Sequence, residues 1–119
     1  MTVTEIAKDL VGLCQQGQFE EAMTRHYSND ILSVEAEGPN PEARGMAAVK
    51  AKTQWWVENM TVHSMETLGP FVHGDRFVVE FKMDTTNKMS GERSQMDEVG
   101  VYTVRDGKIV EEYFFYYSA

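Results

Sequence analysis

"VYTVRDGKIVEEYFFY", residues 101–116, is two alternating apolar stretches joined by "RDG" (105–107). Side chains that alternate on both sides of a turn signal read as a β-hairpin. The same period of two runs upstream. It predicts strands over 61–73, 75–86, 94–105 and 108–117, divided by turns at "HGD" (73–75), "NKMSGE" (87–92) and "RDG". Four long strands in succession therefore occupy the C-terminal half of the chain.

The N-terminal half has a different rhythm. Over 3–16, Ile6, Leu10, Leu13 and Cys14 share one helical face, with Thr4 as the cap and Gly17 as the stop. "QFEEAMTRHY" (18–27) makes a second helix that turns Phe19, Ala22, Met23 and Tyr27 inward. A strand over 30–36 follows, then a loop over 37–45 in which Pro39 and Pro41 forbid regular structure. Val49, Thr53, Trp56 and Met60 mark the face of a third helix over 46–60. This order predicts an α+β fold in a single domain over 1–119. Three helices from the N-terminal half pack on one face of a strongly curved, mostly antiparallel sheet that encloses a pocket.

Composition narrows the function. The 119 residues carry 11 basic and 19 acidic side chains, a formal charge of −8. Phosphate binding needs clustered Lys and Arg, so neither nucleic acid nor an anionic membrane is an expected partner. The one cysteine, Cys14, permits no internal disulfide, and with no signal peptide in "MTVTEIAKDL" the expected place is the cytoplasm. His63 and His73 lie at opposite ends of one strand with no third ligand at useful spacing, so no metal or other cofactor is expected. His26 reads as a solvated helix-end residue, and Cys14 as core rather than nucleophile.

Three stretches together carry a resemblance: "YSNDILSVEAEG" (27–38), "RG" (44–45) opening the third helix, and the hairpin over 101–116. In this order they resemble the cone-shaped fold of nuclear transport factor 2, ketosteroid isomerase and the SnoaL-like polyketide cyclases. The resemblance covers nearly the whole chain, but its scaffold hosts isomerases, cyclases, hydrolases, dehydratases and plain binding modules. In the isomerase-type pattern a tyrosine precedes the first strand and a carboxylate closes it. Tyr27 and Glu35 fall on those places, which makes Glu35 the proton-shuttling base. The isomerase oxyanion donors match Val11 and Gly100, neither of which can donate from a side chain, so the resemblance does not extend to steroid isomerisation.

Strand alternation and the resemblance then give the expected ligand contacts: Ser33, Thr53, Trp56, Met96, Glu98, Tyr102, Glu112, Phe114 and Tyr116. Glu98 and Glu112 face either this pocket or, as strand-end residues, water. Glu35 has the same bland alternative. The outer set of the last strand, Glu111, Tyr113, Phe115 and Tyr117, is aromatic too, which predicts a homodimer formed sheet to sheet. Two functions remain open. One is an isomerase, cyclase or lyase using acid–base chemistry without metal on a small hydrophobic molecule. The other is a non-catalytic binding or dimerisation module.

Overall fold

A computed structural model describes residues 1–116. The elements run α1 (Val3–Gln15), α2 (Phe19–His26), β1 (Tyr27–Val34), β2 (Glu42–Arg44), α3 (Met46–Asn59), β3 (Met60–His73), β4 (Arg76–Asn87), β5 (Arg93–Arg105) and β6 (Lys108–Phe115). The cap of α1 is Thr2, not Thr4. Thr2 accepts from the Glu5 backbone N–H at 3.1 Å, and the Glu5 carboxylate accepts from the Thr2 N–H at 2.9 Å. This reciprocal pair needs a Glu three residues after the cap, which Thr2 has and Thr4 lacks.

One six-stranded open sheet has the order β2-β1-β6-β5-β4-β3. All neighbours are antiparallel except β1 and β6, which pair parallel. Two sequence expectations need correcting. The stretch 37–45 is not all loop, because β2 forms directly after Pro41 and pairs with the end of β1. A short edge strand tolerates a proline just outside it. And Tyr27 is not helical: its backbone is already extended and it pairs with Ile109, so α2 passes into β1 without a loop.

The three helices cover the concave face. Along β4 the inward residues Phe77, Val79, Phe81 and Met83 are buried, and their outward neighbours are partly exposed. The cross-strand register carries this face to Glu98, Gly100 and Tyr102 on β5 and to Glu112 and Phe114 on β6. Gly100 is where the packing is tightest. A Cβ there would lie 2.9 Å from the Tyr102 ring, so its absence lets that ring lie across the strand. Tyr102 stacks on Phe77 at 4.7 Å and meets Phe114 edge-on at 6.2 Å.

His26 is buried, not solvated: the last turn of α2 lies against α1, where the Asp9 carboxylate stands 2.5 Å from its Nε2. The convex face is left open. Phe71, Val78, Val101, Tyr113 and Val34 form one row across five strands, and Leu68, Glu80, Val99 and Phe115 form the next. Phe71 and Phe115 are 63% and 55% exposed. Tyr117, assigned to this face by the alternation, lies outside the described residues.

Candidate functional site

A cavity of about 390 Å³ opens between the helices and the concave sheet. Its walls are apolar: Leu10 and Cys14 from α1, Phe19, Ala22 and Met23 from α2, Trp55 and Trp56 from α3, and Met65, Phe81, Met83, Met96 and Phe114 from the strands. Of the residues singled out from the sequence, Tyr27, Glu35, Thr53, Trp56, Met96, Glu98, Tyr102, Glu112, Phe114 and Tyr116 line it. Ser33 does not. It is buried behind the wall and reaches Glu112 instead.

The closed end is built around Glu112, whose position on β6 beside Ser33 of β1 turns its carboxyl inward. Tyr27 donates its phenol proton to one carboxyl oxygen in a short contact. Ser33 Oγ donates to the other at 2.7 Å. Burial pushes the Glu112 carboxyl up from the usual range, while the hydrogen bonds from Tyr27 and Ser33 oppose that rise. Burial also raises the Tyr27 phenol well above its ordinary value, helped by the nearby Glu112 charge. The Cys14 thiol is pushed up to about 12 by burial and then by Glu112, so it is no nucleophile. Thr53 hydrogen-bonds the Met23 sulfur at 3.6 Å, which ties α3 to α2 beside this wall.

The open end holds Glu35. It lies one residue beyond β1, fixed by its N–H, which donates to the Pro41 carbonyl at 2.8 Å. One oxygen of Glu35 pairs with Lys52 Nζ at 2.9 Å, and the other accepts from the Tyr116 hydroxyl at 3.1 Å. Burial and the Glu35 charge push Tyr116 up to about 12, so it stays a donor. Lys52 also donates to Ser33 Oγ at 2.5 Å and stands 5.5 Å from the Phe114 ring centre. It thereby joins the two ends. Glu98 completes the set: burial, then the charges of Glu35 and Glu112, push its carboxyl up to about 7, against a smaller opposing pull from Lys52.

Lys52 is a site residue that the sequence patterns do not single out, although its spacing carries a signal. Val49, Lys52, Thr53 and Trp56 follow the spacing i, i+3, i+4, i+7 of one helical face. A lysine on that face is ordinarily assigned to its solvent edge, and only the partners Glu35 and Ser33 on another element turn it inward. Trp55 also lines the cavity while remaining half exposed. Among the described residues no three His, Cys, Asp or Glu side chains converge as metal ligands, and no helix is long and apolar enough to cross a membrane.

The sequence matches the SnoaL-like domain over residues 1–116. The chain belongs to the SnoaL-like family. It is similar to the solved structure of a candidate SnoaL-like polyketide cyclase from Mesorhizobium loti, with 50% identity and a TM-score of 0.94 over 98% of this chain and 100% of that one. Two more distant structures share the fold. A nuclear transport factor 2-like protein from Burkholderia thailandensis is 19% identical, with a TM-score of 0.84 over 98% of this chain and 92% of the other. A candidate isomerase from Bacillus subtilis is 16% identical, with a TM-score of 0.77 over 98% and 90%. No curated protein matches the chain.

Proposed function

We propose that this protein is a cytoplasmic acid–base enzyme, of the isomerase, cyclase or lyase type, acting on a small hydrophobic molecule held in the cavity. One observation carries the reading: Glu35 presents a carboxylate to an apolar space with two proton donors, Lys52 and Tyr116, bound to it. A base that takes a proton from carbon beside a carbonyl leaves charge on the carbonyl oxygen, and that oxygen needs a donor. Tyr116 or Lys52 can fill that place by shifting from Glu35 to the substrate. Tyr27, which the sequence offers as a donor alongside Tyr102 and Tyr116, is committed to Glu112, and we assign it to holding the closed end.

Deuterium incorporation from heavy water into a panel of hydrophobic cyclic ketones tests this. Wild type should exchange the α-hydrogens of at least one bound ketone faster than buffer. Glu35→Gln should still fold and bind that ketone, yet lose roughly a hundredfold or more of the exchange. Exchange undiminished in Glu35→Gln would end the proposal. Binding without exchange in wild type would favour the non-catalytic reading.

We further propose that the active form is a homodimer joined through the convex face. Phe71 and Phe115 stand exposed among Val78, Val99, Val101 and Tyr113, and a second copy would remove that apolar area from water. Phe115→Lys should convert the dimer to monomer in gel filtration with light scattering. Wild type eluting as a monomer at micromolar concentration would refute it.

A further inference from the structure

The charges on the cavity wall do not balance. Three carboxyls, Glu35, Glu98 and Glu112, face it, against the single ammonium of Lys52. That ammonium is already used by Glu35, and Glu112 is closed by Tyr27 and Ser33. Glu98 has no hydrogen-bond donor among the described side chains. Directly across on β4 stands the Phe81 ring, and the indoles of Trp55 and Trp56 line the same space. Trp55 is 53% exposed. A large indole left half in water while its other side faces a cavity is not accounted for by core packing, but it suits a ring that receives a ligand.

We infer that the cavity takes an organic cation: a lipophilic amine, protonated or quaternary, whose nitrogen stands beside Glu98 and whose hydrocarbon part lies among Trp55, Trp56, Phe81 and Met96. This rests on the cavity being a small-molecule site and not on the proton-transfer chemistry. An ammonium is attracted to an indole face and to a carboxylate alike, and the attraction strengthens where water is excluded. The formal charge of −8 also raises the local concentration of cations around the whole protein. An anionic ligand would meet three carboxyls with the one lysine already paired. A metal ion has no converging ligand set among the described residues. A neutral ligand would instead accept a hydrogen bond from protonated Glu98. That alternative has the opposite pH dependence, so the two are separable.

The test is calorimetric titration with three matched probes: naphthylmethyl-trimethylammonium, its uncharged isostere with carbon in place of nitrogen, and naphthylacetate. At about pH 8.5 the ammonium should bind about tenfold or more tightly than the isostere. The advantage should shrink toward about pH 5.5 as Glu98 takes up its proton. Glu35, Lys52, Glu112 and Tyr116 also face Glu98, so Glu98→Gln is needed to assign the effect to it. That variant should lose the ammonium preference while still binding the isostere. Equal binding of ammonium and isostere, tighter binding of naphthylacetate, or a preference that survives in Glu98→Gln would overturn the inference. Should the variant fail to fold, the wild-type pH series decides: a preference unchanged or growing toward acid pH overturns it. Isostere binding without ammonium preference leaves the enzymatic proposal standing. Ammonium binding without ketone exchange would do the reverse.

Discussion

Glu112 and Glu98 sit on adjacent strands, both turned to the same cavity, and the chain treats them differently. At the closed end Glu112 receives Tyr27 and Ser33 on its two oxygens, and Lys52 reaches the same serine. At the open end Glu98 is left across from Phe81, in the cavity that the indoles also line, with no side-chain donor among the described residues. Burial costs a carboxyl its hydration in either place. A folded protein recovers that cost where the group is structural, as at Glu112. Where the cost is left standing, as at Glu98, the group is available to something that arrives from outside.

The largest expected effect lies at the closed end. Glu112→Ala leaves the Tyr27 and Ser33 hydroxyl protons without their acceptor beside a void, and should cost roughly 3–5 kcal/mol in denaturant unfolding. Glu112→Gln keeps an acceptor for one of the two hydroxyls and should cost less. A loss under about 1 kcal/mol for the alanine variant would break the contrast, because the network would then carry no stability.

Glu98 should behave in the opposite sense. Its carboxyl sits at about 7 in the folded chain against an ordinary value of 4.5, with burial as the main cause. The folded state thus holds this proton more tightly than the unfolded state does. The stability it confers is complete below pH 4.5 and is lost as pH rises to 7. Glu98→Gln removes the penalty, so the variant should be more stable than wild type at about pH 8, by up to roughly 3 kcal/mol. Below about pH 4.5 the two should converge. Unfolding curves across that window check the sign. A variant less stable than wild type at every pH would place Glu98 with Glu112 as a structural group.

The legible part of this molecule follows from period and turn chemistry. Four strands in series and the in-phase sets of β5 and β6 rest on alternation, and the third-helix face rests on helical spacing, both of which the backbone enforces locally. β2 escaped because a three-residue strand has too little alternation to stand out, and because Pro41 reads as a breaker although it sits just outside. His26 and Lys52 escaped for a different reason. Whether a titratable side chain is buried depends on what lies opposite it, and Asp9 and Glu35 are each on another element. Alternation groups Glu98 with Tyr102 and Glu112 with Phe114, and the resemblance turns those sets inward, whereas the unequal partners of the two glutamates depend on long-range register.

The smallest stability effect, and the one that joins the two ends, is expected at Lys52. Its ion pair with Glu35 is about one-quarter exposed on both sides. Pairs so open to water contribute roughly 1 kcal/mol or less, so Lys52→Met, which keeps most of the apolar stem, should unfold within about 1 kcal/mol of wild type. Its electrostatic reach is longer. The ammonium pulls the Glu98 and Glu112 carboxyls down, against the burial that raises both. Without it the same burial and the charges of Glu35 and Glu112 act unopposed on Glu98. Carbon-13 titration of the glutamate carboxyls should then show the Glu98 midpoint moving above its wild-type position near 7. A lysine that merely packs against Phe114 would leave that midpoint where it was. An unmoved midpoint would therefore show the closed and open ends to be electrically separate, with Lys52 serving only to hold Glu35 in place.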